Sequence, residues 1–321
     1  MKRIGVLTSG GDSPGMNACV RAVVRYAIYN GLNVYGIERG YTGLINNHIT
    51  EMNKRSVSDI IQRGGTILKT ARCPEFVEDK YMQIAVENME AYGIDGLVVI
   101  GGDGSFRGAQ DLYTKFGVKV IGIPGTIDND LAYTDYTLGF DTSVNTVVSA
   151  INNLRDTMTS HDRVCIIEVM GRKCGDIALY AGICGGAEVI LVPEVKTDLM
   201  QVVKKICLNQ RIGKTSDIIV LAEGVCKAEE LKQYLKDNGV TGSIKTTTLG
   251  YIQRGGAPTM SDRVLAARCG VRAVDLLMAD KGGRVVGIRQ NQIIDMDIEE
   301  ALKMPSKFNE ELYNTAMILG L

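Results

Sequence analysis

Histidine is almost absent: the chain has two in 321 residues, His48 and His161. Catalysis by a Ser-His-Asp relay or at a histidine-rich metal site is therefore not expected. The eight cysteines contain no Cys-x-x-Cys pair, which argues against a zinc site or a disulfide frame. They read as small core residues in a reducing cytosol. No apolar run approaches the roughly 20 residues that span a bilayer. The opening Met1-Lys2-Arg3-Ile4-Gly5-Val6-Leu7 leads directly into a strand, its apolar stretch too short for a signal peptide. An excess of charge of one sign is missing too: 36 Lys+Arg against 37 Asp+Glu leave a net charge of -1. Broad electrostatic binding to nucleic acid or to a membrane is not expected from that balance, so any anion must be met by a local cluster.

Glycine, by contrast, is abundant, with 37 residues that gather after apolar runs, where bare backbone can approach phosphate closely. Strands are expected over 3–8, 33–37, 96–101, 118–123, 164–169, 188–192, 217–222 and 284–289. Several are apolar throughout, such as Leu97-Val98-Val99-Ile100 and Ile218-Ile219-Val220-Leu221, as in central parallel strands covered on both faces. Helices are expected over 15–30, 80–92, 104–115, 142–159, 175–185, 198–210, 228–238, 261–280 and 308–318, the first capped by Asp12 or Ser13 with Pro14 in its first turn. The alternation gives an α/β fold: two Rossmann-like three-layer α/β/α domains with mostly parallel, doubly wound sheets. A length of 321 residues suits two domains. The chain is expected to leave the first near residue 138 and return near 255.

Four groups of residues carry chemistry at strand ends, where open α/β sheets bind ligands. Thr8-Ser9-Gly10-Gly11-Asp12-Ser13-Pro14-Gly15 leads from a strand into a helix and suits an anion, though a tight turn needs the same glycines. Gly101-Gly102-Asp103-Gly104-Ser105 surrounds one carboxylate with three glycines. The glycines admit a polyphosphate, and Asp103 can hold Mg²⁺, a hard cation that prefers carboxylate and phosphate oxygens. Neither loop is a Walker A or a dinucleotide fingerprint: Leu208 stands where Gly213-Lys214-Thr215 would need a first glycine, and Arg107 where Gly102-x-Gly104 would need a third. Pro124-Gly125-Thr126-Ile127-Asp128-Asn129-Asp130 places two carboxylates on one loop. Asp128 could be the base that phosphoryl transfer to an alcohol needs, with Asp130 a second polar group near it. An Asx-turn is the plainer alternative there. Arg72, Arg163, Arg172 and Arg254 each stand in a glycine or turn cluster suited to bidentate phosphate binding, though a lone arginine is more often a solvated surface group.

Taken in order, TSGGDSPGMN at 8–17, RGGTIL at 63–68, ARCPEF at 71–76, GGDGS at 101–105, PGTIDND at 124–130, VMGRKCGD at 169–176 and GYIQRGG at 250–256 resemble the bacterial ATP-dependent 6-phosphofructokinases, from Ile4 to about residue 305. The resemblance implies a cytoplasmic glycolytic enzyme that phosphorylates fructose 6-phosphate at C1. In it, 1–138 plus 255–305 would bind ATP, and 139–254 plus 306–321 the sugar phosphate. It implies ATP at Gly11, Arg72, Cys73, Gly102, Asp103, Gly104 and Ser105, with Mg²⁺ on Asp103. Asp128 would be the general base, and Thr126 and Arg172 would stabilise the transferring phosphoryl group. Ile127, Met170, Gly171, Glu223, Ile252 and Gln253 would line the sugar site, with Tyr251 and Arg254 at the 6-phosphate. Arg163 and Lys245 would reach that phosphate from a neighbouring subunit of a homotetramer.

It further implies an effector site for ADP or phosphoenolpyruvate at Arg21, Arg25, Lys54, Ser58, Asp59, Arg155, Gly186, Glu188, Arg211, Lys214 and Ser216. Arg21 and Arg25 also lie four apart on one helix face, which a solvated edge would explain equally. Ile212 replaces a usual cation there and Ser216 a usual histidine, and fewer cations should weaken anion binding. Lys245 stands where the family usually has arginine, and Tyr251 where it has histidine. Lysine keeps the charge but loses the bidentate fork, so weaker binding of fructose 6-phosphate, or a different sugar phosphate, is expected. Pyrophosphate-dependent relatives usually carry Asp at the position of Gly104 and Lys at that of Gly125. A carboxylate at 104 would crowd and repel the α-phosphate that glycine admits, and a lysine at 125 would supply charge that a bound nucleotide phosphate otherwise places, so both positions are expected to favour ATP. A non-catalytic nucleotide-sensing subunit is disfavoured because Asp103, Thr126, Asp128 and Arg172 are all present. A lipid or NAD kinase shares the GGDG string but needs neither PGTIDND nor GYIQRGG.

Overall fold

The computed structural model describes residues 1–320. The chain opens with β1 (Arg3–Thr8), α1 (Met16–Tyr29), β2 (Asn33–Ile37), α2 (Gly40–Ile45), β3 (Ile49–Met52), α3 (Asp79–Tyr92), β4 (Gly96–Gly101), α4 (Asp103–Phe116) and β5 (Lys119–Pro124). A second run holds α5 (Phe140–Thr159), β6 (Arg163–Val169), α6 (Asp176–Cys184), β7 (Val189–Leu191), α7 (Leu199–Arg211), β8 (Asp217–Ala222), α8 (Ala228–Asp237) and β9 (Ser243–Thr248). The last elements are α9 (Met260–Met278), β10 (Arg284–Arg289), β11 (Gln292–Asp297), α10 (Ile298–Lys303) and α11 (Glu310–Leu319).

Contacts group the chain into two compact units: Met1–Ile127 with Leu131–Thr142 and Arg254–Ser306, and Asp128–Asp130 with Ser143–Gln253 and Lys307–Leu321. The first holds a seven-stranded sheet in the order β11-β10-β5-β4-β1-β2-β3. Its five inner strands are parallel, and β3 and β11 close the edges antiparallel. The apolar runs follow from cover on both faces, since successive side chains on a strand point to opposite sides. In β4, Val98 and Ile100 join the core built with α1 and α9, while Leu97 and Val99 join the one built with α3 and α4.

The second unit has a four-stranded, all-parallel sheet, β7-β8-β6-β9. Val164, Ile166, Ile219 and Leu221 pack with α7 and α8 on one face. On β8, Ile218 and Val220 are fully buried toward the other face, and α6 packs against β8.

Three strands and two helices were not marked by pattern. Strands β3 and β11 are edges, and α2 and α10 are six-residue helices. The parallel strand β9 was missed as well, because Ser243-Ile244-Lys245-Thr246-Thr247-Thr248 has one buried residue on its exposed edge apart from the half-covered threonines. The first helix starts differently from expectation. It begins at Met16 behind Gly15, which adopts φ 109 and makes no side-chain cap. Neither Asp12 nor Ser13 caps it: Asp12 faces Arg254, and the Ser13 hydroxyl is buried without a partner. The cysteines also divide, with Cys19, Cys165, Cys174 and Cys269 buried, Cys184 exposed, and all eight free thiols. Among the described residues, no helix is long and apolar enough to cross a membrane.

Candidate active site

In the first unit, the loops after β1, β4 and β5 lie side by side because their strands are neighbours. Ser9 N donates to Ile100 O at 2.9 Å, and Gly125 N to Gly101 O at 2.9 Å. Thr70 Oγ1 donates to Gly10 O at 2.8 Å, tying the segment that carries exposed Arg72 and half-buried Cys73 to the first glycine loop. Burial pushes the Cys73 thiol up. Gly102 is the extended residue that opens α4, so Asp103, Gly104 and Ser105 form its first turn, where the helix dipole favours an anion. Tyr41 Oη fixes Ser105 by donating to its carbonyl at 2.6 Å.

The Asp103 carboxylate is held by Arg107 one turn on, with Nε to Oδ2 at 2.8 Å and Nη2 to Oδ1 at 3.1 Å. That partner was visible in the spacing of four but was read only as a missing glycine. Gly104 and Gly125 behave differently. A Cβ on Gly104 would meet nothing within 4 Å, whereas one on Gly125 would stand 2.9 Å from Ile100 Cγ2 and 3.0 Å from Met16 Cε. The first glycine leaves open space beside the turn; the second is a packing residue, a role the sequence reading of a missing lysine charge did not include. Thr126 lies across from Gly102, its Cβ 3.7 Å from where a Gly102 Cβ would be, and its carbonyl accepts from Thr137 Oγ1 at 2.6 Å. Ile127 beside it is buried.

Arg254 also belongs to this unit. Its Nη1 stands 2.1 Å from where a Cβ on residue 11 would be, and 3.9 Å from Asp12 Oδ1. A glycine at 11 is therefore what lets the guanidinium lie over this loop.

The second unit carries the acidic turn. Asp128 is 2% exposed, and its Oδ2 lies 3.3 Å from Arg172 Nε. Arg172 has φ 53, in the left-handed region that disfavours side chains. It is held there by Glu223, whose Oε1 accepts from Arg172 N at 2.9 Å. Gly171, at φ 134, precedes it. Met170 N donates to Oε1 of fully buried Gln253 at 3.2 Å. Met170, Glu223, Gly250 and Tyr251 line a cavity of about 170 Å³. Tyr251 and Ile252 are largely exposed. Asn129 and Asp176, to which no role was given, are joined at 2.8 Å. Burial pushes Asp176 up to about 6 against the pull of the Asn129 amide.

Arg163 and Lys245 are not at this cavity in the same chain. Arg163 begins β6, and Lys245 sits opposite Cys165 on β9, while Met170 follows the far end of β6. Six residues of strand separate the ends of β6 by about 20 Å.

The residues expected at an effector site fall in both units. Arg21 and Arg25 are on α1, and exposed Lys54 lines a cavity of about 560 Å³ with Ile28, Leu32 and Met52. Ser58 donates to Lys54 O at 3.4 Å, and Asp59 has φ 53. In the second unit, buried Glu188 collects the cations: Lys214 Nζ at 2.9 Å and Arg155 Nη1 at 3.5 Å. Arg155 also donates to Gly186 O at 2.6 Å. Lys205 and Asp217, unmarked in the sequence, complete the cluster. Arg211 is exposed at the end of α7, and Ser216 lies 3.4 Å from Thr159.

The model of the phosphofructokinase family matches residues 3–277. Proteins named ATP-dependent 6-phosphofructokinase from Clostridium botulinum and Clostridium acetobutylicum are each 60% identical to the chain, covering 100% of it and of themselves. The fold resembles that of phosphofructokinase from Saccharomyces cerevisiae, with a TM-score of 0.87 and 33% identity over 99% of this chain, which spans 47% of the yeast protein's length. A pyrophosphate-dependent phosphofructokinase from Marinobacter aquaeolei shares the fold, with a TM-score of 0.86 at 22% identity over 97% of this chain and 86% of its own. A full-length match at that identity, on a fold with glycine loops at three adjoining strand ends, shows that the chain belongs to the phosphofructokinase family.

Proposed function

We infer that this chain carries out the reaction of an ATP-dependent 6-phosphofructokinase with Asp128 as the base: the γ-phosphoryl group of ATP passes to the C1 hydroxyl of fructose 6-phosphate, giving ADP and fructose 1,6-bisphosphate. The observation that carries this reading is the Asp128–Arg172 pair, a buried carboxylate 3.3 Å from a guanidinium. A guanidinium beside a carboxylate favours the charged form, which is the form a general base needs. Asp128 takes the hydroxyl proton as the sugar oxygen forms its bond to phosphorus and the bond to the ADP oxygen breaks. Arg172 then has two partners in turn, the carboxylate and the charge spread over the transferring group. Thr126, on the same loop, donates to that group.

The first unit binds the nucleotide through Gly11, Arg72, Cys73 and the Gly102–Ser105 turn. The second binds the sugar through Met170, Gly171, Glu223 and the 250–253 turn. Asp103 would hold Mg²⁺, and the donor set fits that ion: one half-exposed carboxylate beside an open glycine leaves most positions to phosphate oxygens and water. The bound cation would neutralise phosphate charge. Gly104 supports ATP over pyrophosphate, since its open flank admits a further phosphate. Arg163 and Lys245 serve a neighbouring subunit's 6-phosphate in a homotetramer working in the cytoplasm, and their place on β6 and β9 away from the cavity beside Met170 supports that reading. The Glu188 cluster answers ADP or phosphoenolpyruvate.

The test is a coupled assay of the Asp128→Ser variant with ATP and fructose 6-phosphate. Loss of base catalysis should lower turnover by at least about 10²–10⁴-fold. Turnover near that of the unaltered protein would remove Asp128 from the mechanism.

A further inference from the structure

Asp128 is held from two sides. On one side is Arg172. On the other is its chain neighbour Asn129, a residue with φ 54, in the left-handed region. Asparagine tolerates that region, but the conformation persists only where surrounding structure fixes it. Here the Asn129 amide donates from Nδ2 to Asp176 Oδ2 at 2.8 Å.

Asp176 is a well-anchored acceptor. It is 8% exposed and is the first residue of α6, where the helix dipole favours a carboxylate. The turn that leads to it is itself braced: Cys174 N donates to Gly171 O at 2.8 Å, and Gly175 N to Glu194 Oε1 at 2.8 Å. Arg172 and Asp176 are four residues apart on this one braced turn. One of them pairs with Asp128 and the other accepts from its neighbour Asn129, so the two contacts bracket the acidic turn.

We propose that Asp176 is a positioning residue for phosphoryl transfer, acting through Asn129 to aim the Asp128 carboxylate between Arg172 and the acceptor hydroxyl. The proposal rests on the reading of Asp128 as the base. Neither Asp176 nor Asn129 has to touch a substrate for this. A small error in the aim of a general base is costly, because proton transfer needs hydrogen-bond contact with the hydroxyl in the reacting geometry. The surroundings work in opposite senses on Asp176: burial, and then Glu194, favour its neutral form, while the Asn129 amide and Lys307 favour the carboxylate.

The experiment compares steady-state kinetics of the full-length Asp176→Ala, Asp176→Asn, Asn129→Ala and Asp176→Ala/Asn129→Ala variants, with Asp128→Asn as benchmark. Asp176→Ala should lower kcat by about 10–100-fold, with KM for ATP and for fructose 6-phosphate within about threefold, because orientation rather than binding is lost. Asp176→Asn keeps an acceptor oxygen and should recover most of that loss. Asn129→Ala should reproduce the loss without touching the helix, and so reads the same contact if Asp176→Ala does not fold. The double variant should be no slower than the worse single one, since both break one contact. Unchanged kcat in both single variants overturns the proposal, as do losses that multiply in the double variant or changes confined to KM. An active Asp128→Asn enzyme would instead sink the reading of Asp128 as the base, whatever the other variants do.

Discussion

Substituting Gly11 by alanine should damage binding of the sugar phosphate more than binding of ATP, although residue 11 lies in the first glycine loop. The reason is the guanidinium of Arg254. A Cβ at residue 11 would fall 2.1 Å from Arg254 Nη1, 3.1 Å from Cζ and 3.4 Å from Nη2. Ordinary contact needs about 3.5 Å, so the end of the side chain has to move by more than an ångström. It can do so, being flexible, and the backbone conformation at 11 is open to alanine because its φ is not positive. The protein should therefore fold with Arg254 displaced and its pairing with Asp12, now 3.9 Å, lost or rearranged. A hydrogen bond to a charged group contributes roughly 1.5–3 kcal/mol. If Arg254 holds the 6-phosphate as proposed, losing one such bond should raise KM for fructose 6-phosphate by about 10–150-fold, since 1.4 kcal/mol corresponds to a factor of ten. The assay is initial rate against each substrate at saturation of the other, for Gly11→Ala and for Arg254→Ala. The two variants should share the sugar-phosphate defect, and the pair combined should be no worse than Arg254→Ala. A tenfold rise in KM for ATP with KM for fructose 6-phosphate unmoved would refute the reasoning.

Asp262, 1% exposed, accepts from Gly139 N at 2.8 Å and Thr142 N at 2.9 Å, so Asp262→Ala leaves two buried N–H groups without it and should destabilise by about 2–5 kcal/mol in urea unfolding. Burial pushes this carboxyl up to about 6 from its ordinary 3.8; a raised folded value means its contribution is fullest below about pH 4 and shrinks as pH rises to 6. The gap between the unaltered protein and Asp262→Ala should then narrow across that window, and a gap that widens would contradict the assignment. Gly104→Asp should leave the urea midpoint within error and raise KM for ATP at least tenfold, whereas Gly125→Lys should cost about 1–3 kcal/mol of stability through overpacking against Ile100 and Met16. Lys245→Arg combined with Tyr251→His should lower KM for fructose 6-phosphate; an unchanged value would show that the natural pair does not weaken binding.

Much of this was legible because the physics is local. Strands β4 and β8 are apolar on both faces, and only a covered parallel strand tolerates that. The glycine strings after β1 and β4 pointed to phosphate chemistry on a similar argument, since backbone that is to meet phosphate cannot carry side chains there. What stayed hidden depended on distant partners. Strand β9 is mostly polar and is a strand because β6 pairs with it. The helix-forming stretch at Gly40–Ile45 follows Arg39 at φ 63 and reads as a turn. The contact between Asp128 and Arg172 joins residues far apart in sequence, and so does that between Asn129 and Asp176. At Gly125 the string does not carry the packing reason for glycine: Ile100 and Met16 fill the space a side chain would need.

The grip of Arg107 on Asp103 has a consequence for the order in which ligands arrive. The only carboxylate in that glycine turn already has a counterion from its own helix, bidentate and one turn away. If Asp103 holds Mg²⁺ as proposed, a bare divalent ion has to compete with that guanidinium for the carboxylate. An ion escorted by triphosphate would bring its own anionic shell, and the triphosphate would offer Arg107 something else to hold. On that reading the turn should take cation and nucleotide together more readily than the free ion.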